Sequence, residues 1–130
     1  MEYKLANVHP EAKIGKDVVI EPFVTIEKDV EIGDGCWIGA NAVIKNFTKI
    51  GKNCKIHESA RIGPHVSIGD DTIISSDVVI ENSIIMSGCI IDGGLNIRDS
   101  IISANCDLHG NNKDKTKKIF LLGEGTKITL

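Results

Sequence analysis

The chain has 130 residues, a formal net charge of −3, 42% hydrophobic and 25% charged residues. One Trp, one Tyr and three Phe are too few aromatics for an ordinary compact globule, and the mild, interspersed charge points to neither nucleic acid nor an anionic membrane surface. No apolar run approaches a membrane span, and the start lacks the basic-then-apolar layout of a signal peptide, so a cytoplasmic protein without membrane insertion is expected.

Residues 1–7 read as a lead-in cap, with Tyr3 and Leu5 placed to cover an open end. From Val8 a branched aliphatic residue then returns at every sixth position: Ile14, Ile20, Ile26, Ile32, Ile38, Ile44, Ile50, Ile56, Ile62, Ile68, Ile74 and Ile80. That period fits neither a helical face nor the alternation of an ordinary strand. It predicts a parallel β-helix in which each hexapeptide is one short strand plus one corner.

A second column keeps the same phase. Two residues before these aliphatics stand smaller groups, among them Ala12, Val18, Val24, Val30, Cys36, Ala42, Thr48, Cys54, Ala60, Val66, Thr72 and Val78. Residues two apart in a strand share a face, so each rung sends one small and one large side chain inward. Pro10, Pro22 and Pro64 fall at the corners, where a missing N–H breaks no ladder bond. Asp17, Asp29, Gly35, Asn41, Asn53, Asp71 and Asp77 follow at the position where a left-handed backbone is needed. Three rungs close one triangular coil.

Residues 8–79 make coils of eighteen residues. After Ile80 the inward positions become Ile85, Ile91, Ile97, Ile102 and Leu108, so residues 80–108 make coils of seventeen, with Ser83 and Ser100 in the small slot. Residues 109–118 are polar and lysine-rich and read as a surface loop; residues 119–130 return as a partial last coil. The whole is expected to be one all-β domain of six to seven coils, on the order of 30 Å tall at the usual strand spacing.

Cys36, Cys54, Cys89 and Cys106 all take the small inward slot on one face. With no C-x-x-C pair and no Cys–His ligand spacing, four free buried thiols are expected. A hydroxyl at that slot is expected to lack a partner, so that Cys54→Ser costs roughly 1–3 kcal/mol.

The phrases VHPEAKIGKDVVIEPFVTI, VEIGDGCWIGANAVI and KIGKNCKI resemble the N-terminal coils of the acyl-[acyl-carrier-protein]–UDP-N-acetylglucosamine O-acyltransferase family, over about residues 5–62. The resemblance implies a left-handed coil, against the usual right-handed crossover, and a homotrimer. The phrases SIGDDTIISSDVVIENSIIMSGCII, LNIRDSII and LLGEGTKITL resemble the C-terminal β-helix of sugar-1-phosphate nucleotidylyltransferases, chiefly the glucose-1-phosphate thymidylyltransferase type, over about residues 65–130. Nothing resembles the nucleotide-binding domain of those enzymes. Two resemblances meeting near Ile62–Ile68 suggest an engineered chimera; a natural short hexapeptide protein is the alternative.

An acyltransferase of the first kind needs a histidine general base oriented by a carboxylate or backbone group. The resemblance places that histidine beyond the matched coils, so no catalytic residue carries over. His9 serves the first corner, His57 and His109 point outward from one face, and His65 holds a corner. His57 and His65 are the nearest catalytic candidates. Their spacing does not suit zinc, no cofactor site or small-molecule ligand is assigned, and outward Thr is too rare for ice binding. On the third face Val19, Trp37, Ile73 and Ile90 form an apolar stripe interrupted by Lys55, which suits either a trimer interface or an acyl groove, the interface being favoured. The expected function is a non-catalytic, self-assembling scaffold; a hexapeptide-repeat acyltransferase acting on a nucleotide sugar is the alternative.

Overall fold

Rungs this short cannot bury themselves singly, and stacking is what hides them. The computed structural model describes Tyr3 and residues 5–130, and within these the rungs form three parallel seven-stranded sheets. The first sheet stacks Asn7–Val8, Thr25–Ile26, Val43–Ile44, Arg61–Ile62, Val79–Glu81, Asn96–Arg98 and Lys117–Lys118. The second stacks Lys13–Ile14, Val30–Ile32, Thr48–Ile50, Val66–Ile68, Ser83–Ile85, Ile101–Ile102 and Leu121–Leu122. The third stacks Val19–Ile20, Trp37–Ile38, Lys55–Ile56, Ile73–Ile74, Ile90–Asp92, Asp107–His109 and Lys127–Thr129.

Each rung lies on the next with like residues in register. Ile44 pairs Ile62 and Ile62 pairs Ile80, a shift of eighteen; Ile80 pairs Ile97 and Ile85 pairs Ile102, a shift of seventeen. The inward isoleucines form the core together with the small column, and Ile38, Ile44, Ile56, Ile62, Ile74 and Ile80 are wholly inaccessible. Ala12 and Ile14 are only half-buried; among the described residues their rung stacks on one other rung alone.

Asp17, Asp29, Gly35, Asn41, Asn53, Asp71 and Asp77 all have positive φ at their corners. Phe23, Phe47 and Ser59 share that slot at φ of 64, 58 and 60°, although such types seldom adopt it. The stack imposes it: Phe23 N–H donates to Leu5 O at 2.7 Å and Phe47 N–H to Asp29 O at 3.0 Å. At another corner the coils approach so closely that only glycine fits. A Cβ at Gly33 would lie 2.7 Å from the Gly51 carbonyl, and one at Gly69 would lie 2.5 Å from Ser87 N.

The shorter coils lose one residue at the corner entering the second sheet, and two serines replace the lost backbone bonding. Ser83 Oγ donates to Glu81 O at 2.8 Å and accepts from Ser100 N–H at 3.1 Å. Ser100 Oγ donates to Arg98 O at 2.7 Å and accepts from Phe120 N–H at 2.8 Å. The hydroxyls therefore run as a ladder up the tightened corner.

Three expectations need correction. Met1, Glu2 and Lys4 of the expected cap lie outside the described residues; of the rest, Tyr3 and Ala6 pack on the core, whereas Leu5 takes a corner slot at φ 60° and is 69% exposed. The excursion is shorter than residues 109–118, because Asp107–His109 and Lys117–Lys118 are rungs. Lys118 stands over Ile97, with its ammonium carried out to Asp114 Oδ2 at 2.7 Å. Its aliphatic stem thus takes an inward position that sequence polarity argues against.

The thiols are free and buried, yet a polar group in their column does find partners. Cys54 Sγ donates to Gly69 O at 3.1 Å, and Thr72 Oγ1, one coil on, donates to Asp70 O and Met86 O, both at 3.3 Å. Cys54→Ser therefore keeps an acceptor within reach and costs less than an orphaned hydroxyl would. Thr48 is the contrary case: its Oγ1 is buried without a partner. Thr48→Val preserves the branched shape and removes that orphan, and should raise the unfolding free energy by about 1 kcal/mol in denaturant titration; a loss of stability would show that the hydroxyl is satisfied.

Candidate active site

The third sheet carries the one histidine–carboxylate pair among the described residues. Its rungs present two outward columns. One contains Val19, Trp37, Lys55, Ile73, Ile90 and Asp107, in register coil by coil. The other, two residues on at the corner, contains His57, Ser75, Asp92 and His109. Asp92 and His109 are register partners across the seventeen-residue step.

That register brings both carboxylate oxygens of Asp92 onto the ring of His109, Oδ1 at 2.8 Å and Oδ2 at 2.9 Å from Nδ1. A carboxylate there holds the proton on Nδ1 and leaves the Nε2 lone pair free to accept one, which is the arrangement of a general base. The two side chains are 41% and 35% exposed, so the imidazole faces solvent over a partly buried partner. The backbone just beyond is drawn tight, with Gly110 N–H donating to Asp92 O at 3.0 Å, and a side chain at Gly93 would overlap the Gly110 backbone.

Directly after His109 the chain leaves the coil. Asn111 Oδ1 accepts from the N–H groups of Lys113 and Asp114, both at 2.9 Å, and Asp114 accepts from Thr116 and from the Lys118 ammonium. The Lys118 hydrogen bond, aided by Thr116, holds the Asp114 carboxyl well below the usual carboxylate range. This loop is therefore a braced turn that fixes the exit from His109. Elsewhere, burial pushes the Cys89 thiol up, and Cys54 is pushed up by its hydrogen bond with Cys36 and by burial, so neither offers a nucleophile.

The other histidines are placed differently. His9 Nδ1 accepts from Glu11 N–H at 3.1 Å at the first corner. His57 is half-buried and sets its ring edge against Trp37, centroids 5.3 Å apart. His65 is an exposed corner residue at φ 58°, stacked on Phe47 at 5.1 Å. Neither candidate has a carboxylate partner among the described residues, and His109 does. Sequence reasoning passed over His109, although Asp92 and His109 each follow an inward aliphatic and stand one late coil apart.

Of the apolar stripe, Trp37, Ile73 and Ile90 are half-buried and Val19 is 50% exposed. A second apolar rank, which the sequence reading did not count, stands on the second sheet: Ile84, Ile101 and Leu121, at 47%, 44% and 82% exposure. Ile84 and Ile101 border a shallow groove of about 630 Å³ shared with Phe47, His65, Asn82 and Asp99. No group of three or more His, Cys, Asp or Glu converges as a metal site among the described residues, and no helix is long and apolar enough to cross a membrane.

Comparison with known proteins adds the following. The family model of the GMPPB C-terminal domain matches residues 44–129, on both sides of the position where the two sequence resemblances meet. That of the bacterial transferase hexapeptide (six repeats) matches residues 11–46. The acyl-[acyl-carrier-protein]–UDP-N-acetylglucosamine O-acyltransferase of Thermodesulfovibrio yellowstonii is 40% identical over 52 residues, which are 40% of this chain and 20% of that protein. Its counterpart from Chlamydia pneumoniae is 49% identical over 47 residues, 36% of this chain and 17% of that protein. The crystal structure of UDP-N-acetylglucosamine acyltransferase from Francisella novicida superposes with a TM-score of 0.60 at 28% identity, covering 85% of this chain and 57% of that one. The fold is thus a left-handed parallel β-helix. The matched segments span a fifth or less of the curated relatives. These relatives are enzymes, and they overturn the expectation of a non-catalytic scaffold.

The pairing makes a spectroscopic prediction. Long-range ¹H–¹⁵N correlation at a pH where His109 is neutral should show the proton on Nδ1, and Asp92→Leu should move the ring toward the Nε2–H form. An unchanged tautomer in the variant would mean that Asp92 does not set it.

Proposed function

The chain belongs to the family of the GMPPB C-terminal domain, and on that premise, with its acyltransferase relatives, we propose that it is a hexapeptide-repeat acyltransferase acting on a nucleotide sugar. The observation that carries this reading is the Asp92–His109 pair. His109 Nε2 accepts the proton of the sugar hydroxyl or amine as that atom attacks the carbonyl carbon of an acyl thioester. The C–S bond breaks, and the proton passes to the departing thiolate. Asp92 does not react; it holds the tautomer and stabilises the imidazolium that forms. The names of the relatives supply the acceptor and donor classes in this proposal, a UDP-linked amino sugar and an acyl group on a carrier protein.

The same reading includes a cytoplasmic setting, residues 1–130 acting as one folding unit, and a homotrimer with Val19, Trp37, Ile73 and Ile90 in its interface. It favours one continuous natural helix over a joined pair, because a single family model extends from residue 44 to residue 129. His57 and His65 take no chemical part in it.

Two measurements test it. His109→Ala should lower kcat/KM for acyl transfer by roughly a hundredfold to ten-thousandfold with the far-ultraviolet circular dichroism unchanged, and Asp92→Asn should lower it too by favouring the wrong tautomer. Full activity in His109→Ala would refute the assignment. In light scattering the wild type should be trimeric and Trp37→Glu dissociated, since an unpaired charge in an apolar contact must be desolvated; a wild-type monomer would remove the assembly.

A further inference from the structure

One corner repeats up the height of the stack. Leaving the second sheet, the chain passes Gly15–Lys16–Asp17, Gly33–Asp34–Gly35, Gly51–Lys52–Asn53 and Gly69–Asp70–Asp71, and in the last described coil Gly123–Glu124–Gly125. In the lower coils the layer above dictates the first glycine of each set. A Cβ at Gly15 would lie 2.7 Å from Asp34 N, one at Gly33 2.7 Å from the Gly51 carbonyl carbon, and one at Gly51 2.7 Å from Asp70 N. Gly123 has the same residue with nothing within 4 Å of its Cβ position, and its φ lies outside the left-handed region. Neither crowding nor backbone conformation within the chain requires glycine there. What Gly123 shares with its counterparts is room for another layer.

The hydrogen bonds of this corner run on in the same way. The first glycine donates to the inward isoleucine of the next coil, Gly15 N–H to Ile32 O, Gly33 to Ile50 and Gly51 to Ile68, each at 2.8 Å. The third residue donates back, Gly35 N–H to Lys16 O, Asn53 to Asp34 and Asp71 to Lys52, each at 2.9 Å. Among the described residues Gly123 N–H, Glu124 O and Asp17 N–H have no such backbone partner. Leu121–Leu122 and Lys13–Ile14 are the two edge strands of the second sheet, and an open edge is a template for another chain. At the lower edge Val8, Ala12 and Ile14 line a mouth of about 700 Å³; at the upper, Phe120, Leu122 and Ile128 are half-buried.

Charge selects which ends meet. Residues 109–130 carry five lysines against Asp114 and Glu124, a side-chain charge of +3, whereas residues 7–22 carry Lys13 and Lys16 against Glu11, Asp17 and Glu21, a charge of −1. Two upper ends would set like charges together, and an upper on a lower end sets opposite ones together. The corner column alternates too, with Lys16, Asp34, Lys52 and Asp70 at successive coils, and Glu124 continues it correctly only if a lysine stands above.

We propose that a second copy of this chain stacks head to tail on the last coil, its Gly15–Lys16–Asp17 corner resting on Gly123–Glu124–Gly125. Gly123 N–H then donates to Ile14 O of the next copy, that copy's Asp17 N–H donates to Glu124 O, and its Lys16 stands over Glu124. Leu122 lies under Ile14 as Ile14 lies under Ile32 within one chain. The contact is independent of the chemistry assigned to His109. Because the two surfaces differ, it does not close on itself and propagates as a linear array.

Sedimentation velocity between about 1 µM and about 1 mM reads a contact of this kind. The weight-average mass of the wild type should climb with concentration past that of the base assembly, whether a single chain or a trimer. Gly123→Val should need at least tenfold more protein to reach the same mass, with an unfolding midpoint no lower than wild type, since nothing in its own chain crowds the new side chain. Should that variant fold poorly, Gly123→Ala takes its place; its methyl also meets the next copy, and it reduces the freedom of the unfolded chain. A carbodiimide, which joins a carboxylate to an amine in contact, should link Glu124 to Lys16 in peptide mass spectrometry. These residues stand at opposite ends of one chain, so that link forms only between copies. A mass independent of concentration, growth unaffected by Gly123→Val and Gly123→Ala, or Glu124 linked to other lysines without Lys16 overturns the proposal.

Discussion

Between every pair of adjacent coils the amide of one rung meets the carbonyl of the next: Thr25 N to Ala42 O at 3.0 Å, Val43 N to Ala60 O at 2.9 Å, Arg61 N to Val78 O at 2.9 Å, Val79 N to Leu95 O at 2.9 Å. These bonds allow no slippage, because moving a rung by one residue would turn its isoleucine outward and its polar neighbour into the core. From that single restriction come the stacked isoleucines, the ranks on the outer faces and the meeting of Asp92 with His109. Even the unfavourable corner conformations of Phe23 and Phe47 are tolerated for this reason.

The coil was legible because its period is arithmetic: inward Ile, small partner and corner Asp or Asn each recur at fixed steps, and three rules must agree in phase. What resisted reading was whatever depends on a side chain's reach. Lys118 looks too polar for an inward column, yet its stem lies over Ile97 while the ammonium escapes to Asp114. Thr72 looks like an unsatisfied hydroxyl, yet the gap between coils holds carbonyls that it can meet. Asp92 and His109 were within reach of the same arithmetic, since their separation is one late coil. Their pairing also requires both side chains to lean along the axis, which spacing alone does not state.

The scaffold expectation, which the enzyme relatives overturn, left that pair unread for a related reason. It sought a base by matching phrases to a relative, and the phrases that match end near residue 62, whereas the pair lies at 92 and 109. In a solenoid a histidine–carboxylate pair need not sit in the coils that carry the strongest sequence likeness. Any two outward residues one coil apart are neighbours, and the shorter late coils make seventeen, not eighteen, the interval to search.

The coil above also controls how long the paired imidazole stays in place. Rung Asp107–His109 is held from above by Lys127–Thr129, with Asp107 N donating to Thr126 O at 2.9 Å and Leu130 N to His109 O at 2.8 Å. In a stack where each layer touches only its neighbours, a layer loosens when the one beside it opens. The layer beside His109 is a coil whose inward Phe120, Leu122 and Ile128 are only half-buried. The lifetime of that layer bears on the lifetime of the ordered imidazole beneath it, so the same hydrogen bonds that align His109 also act as its clock.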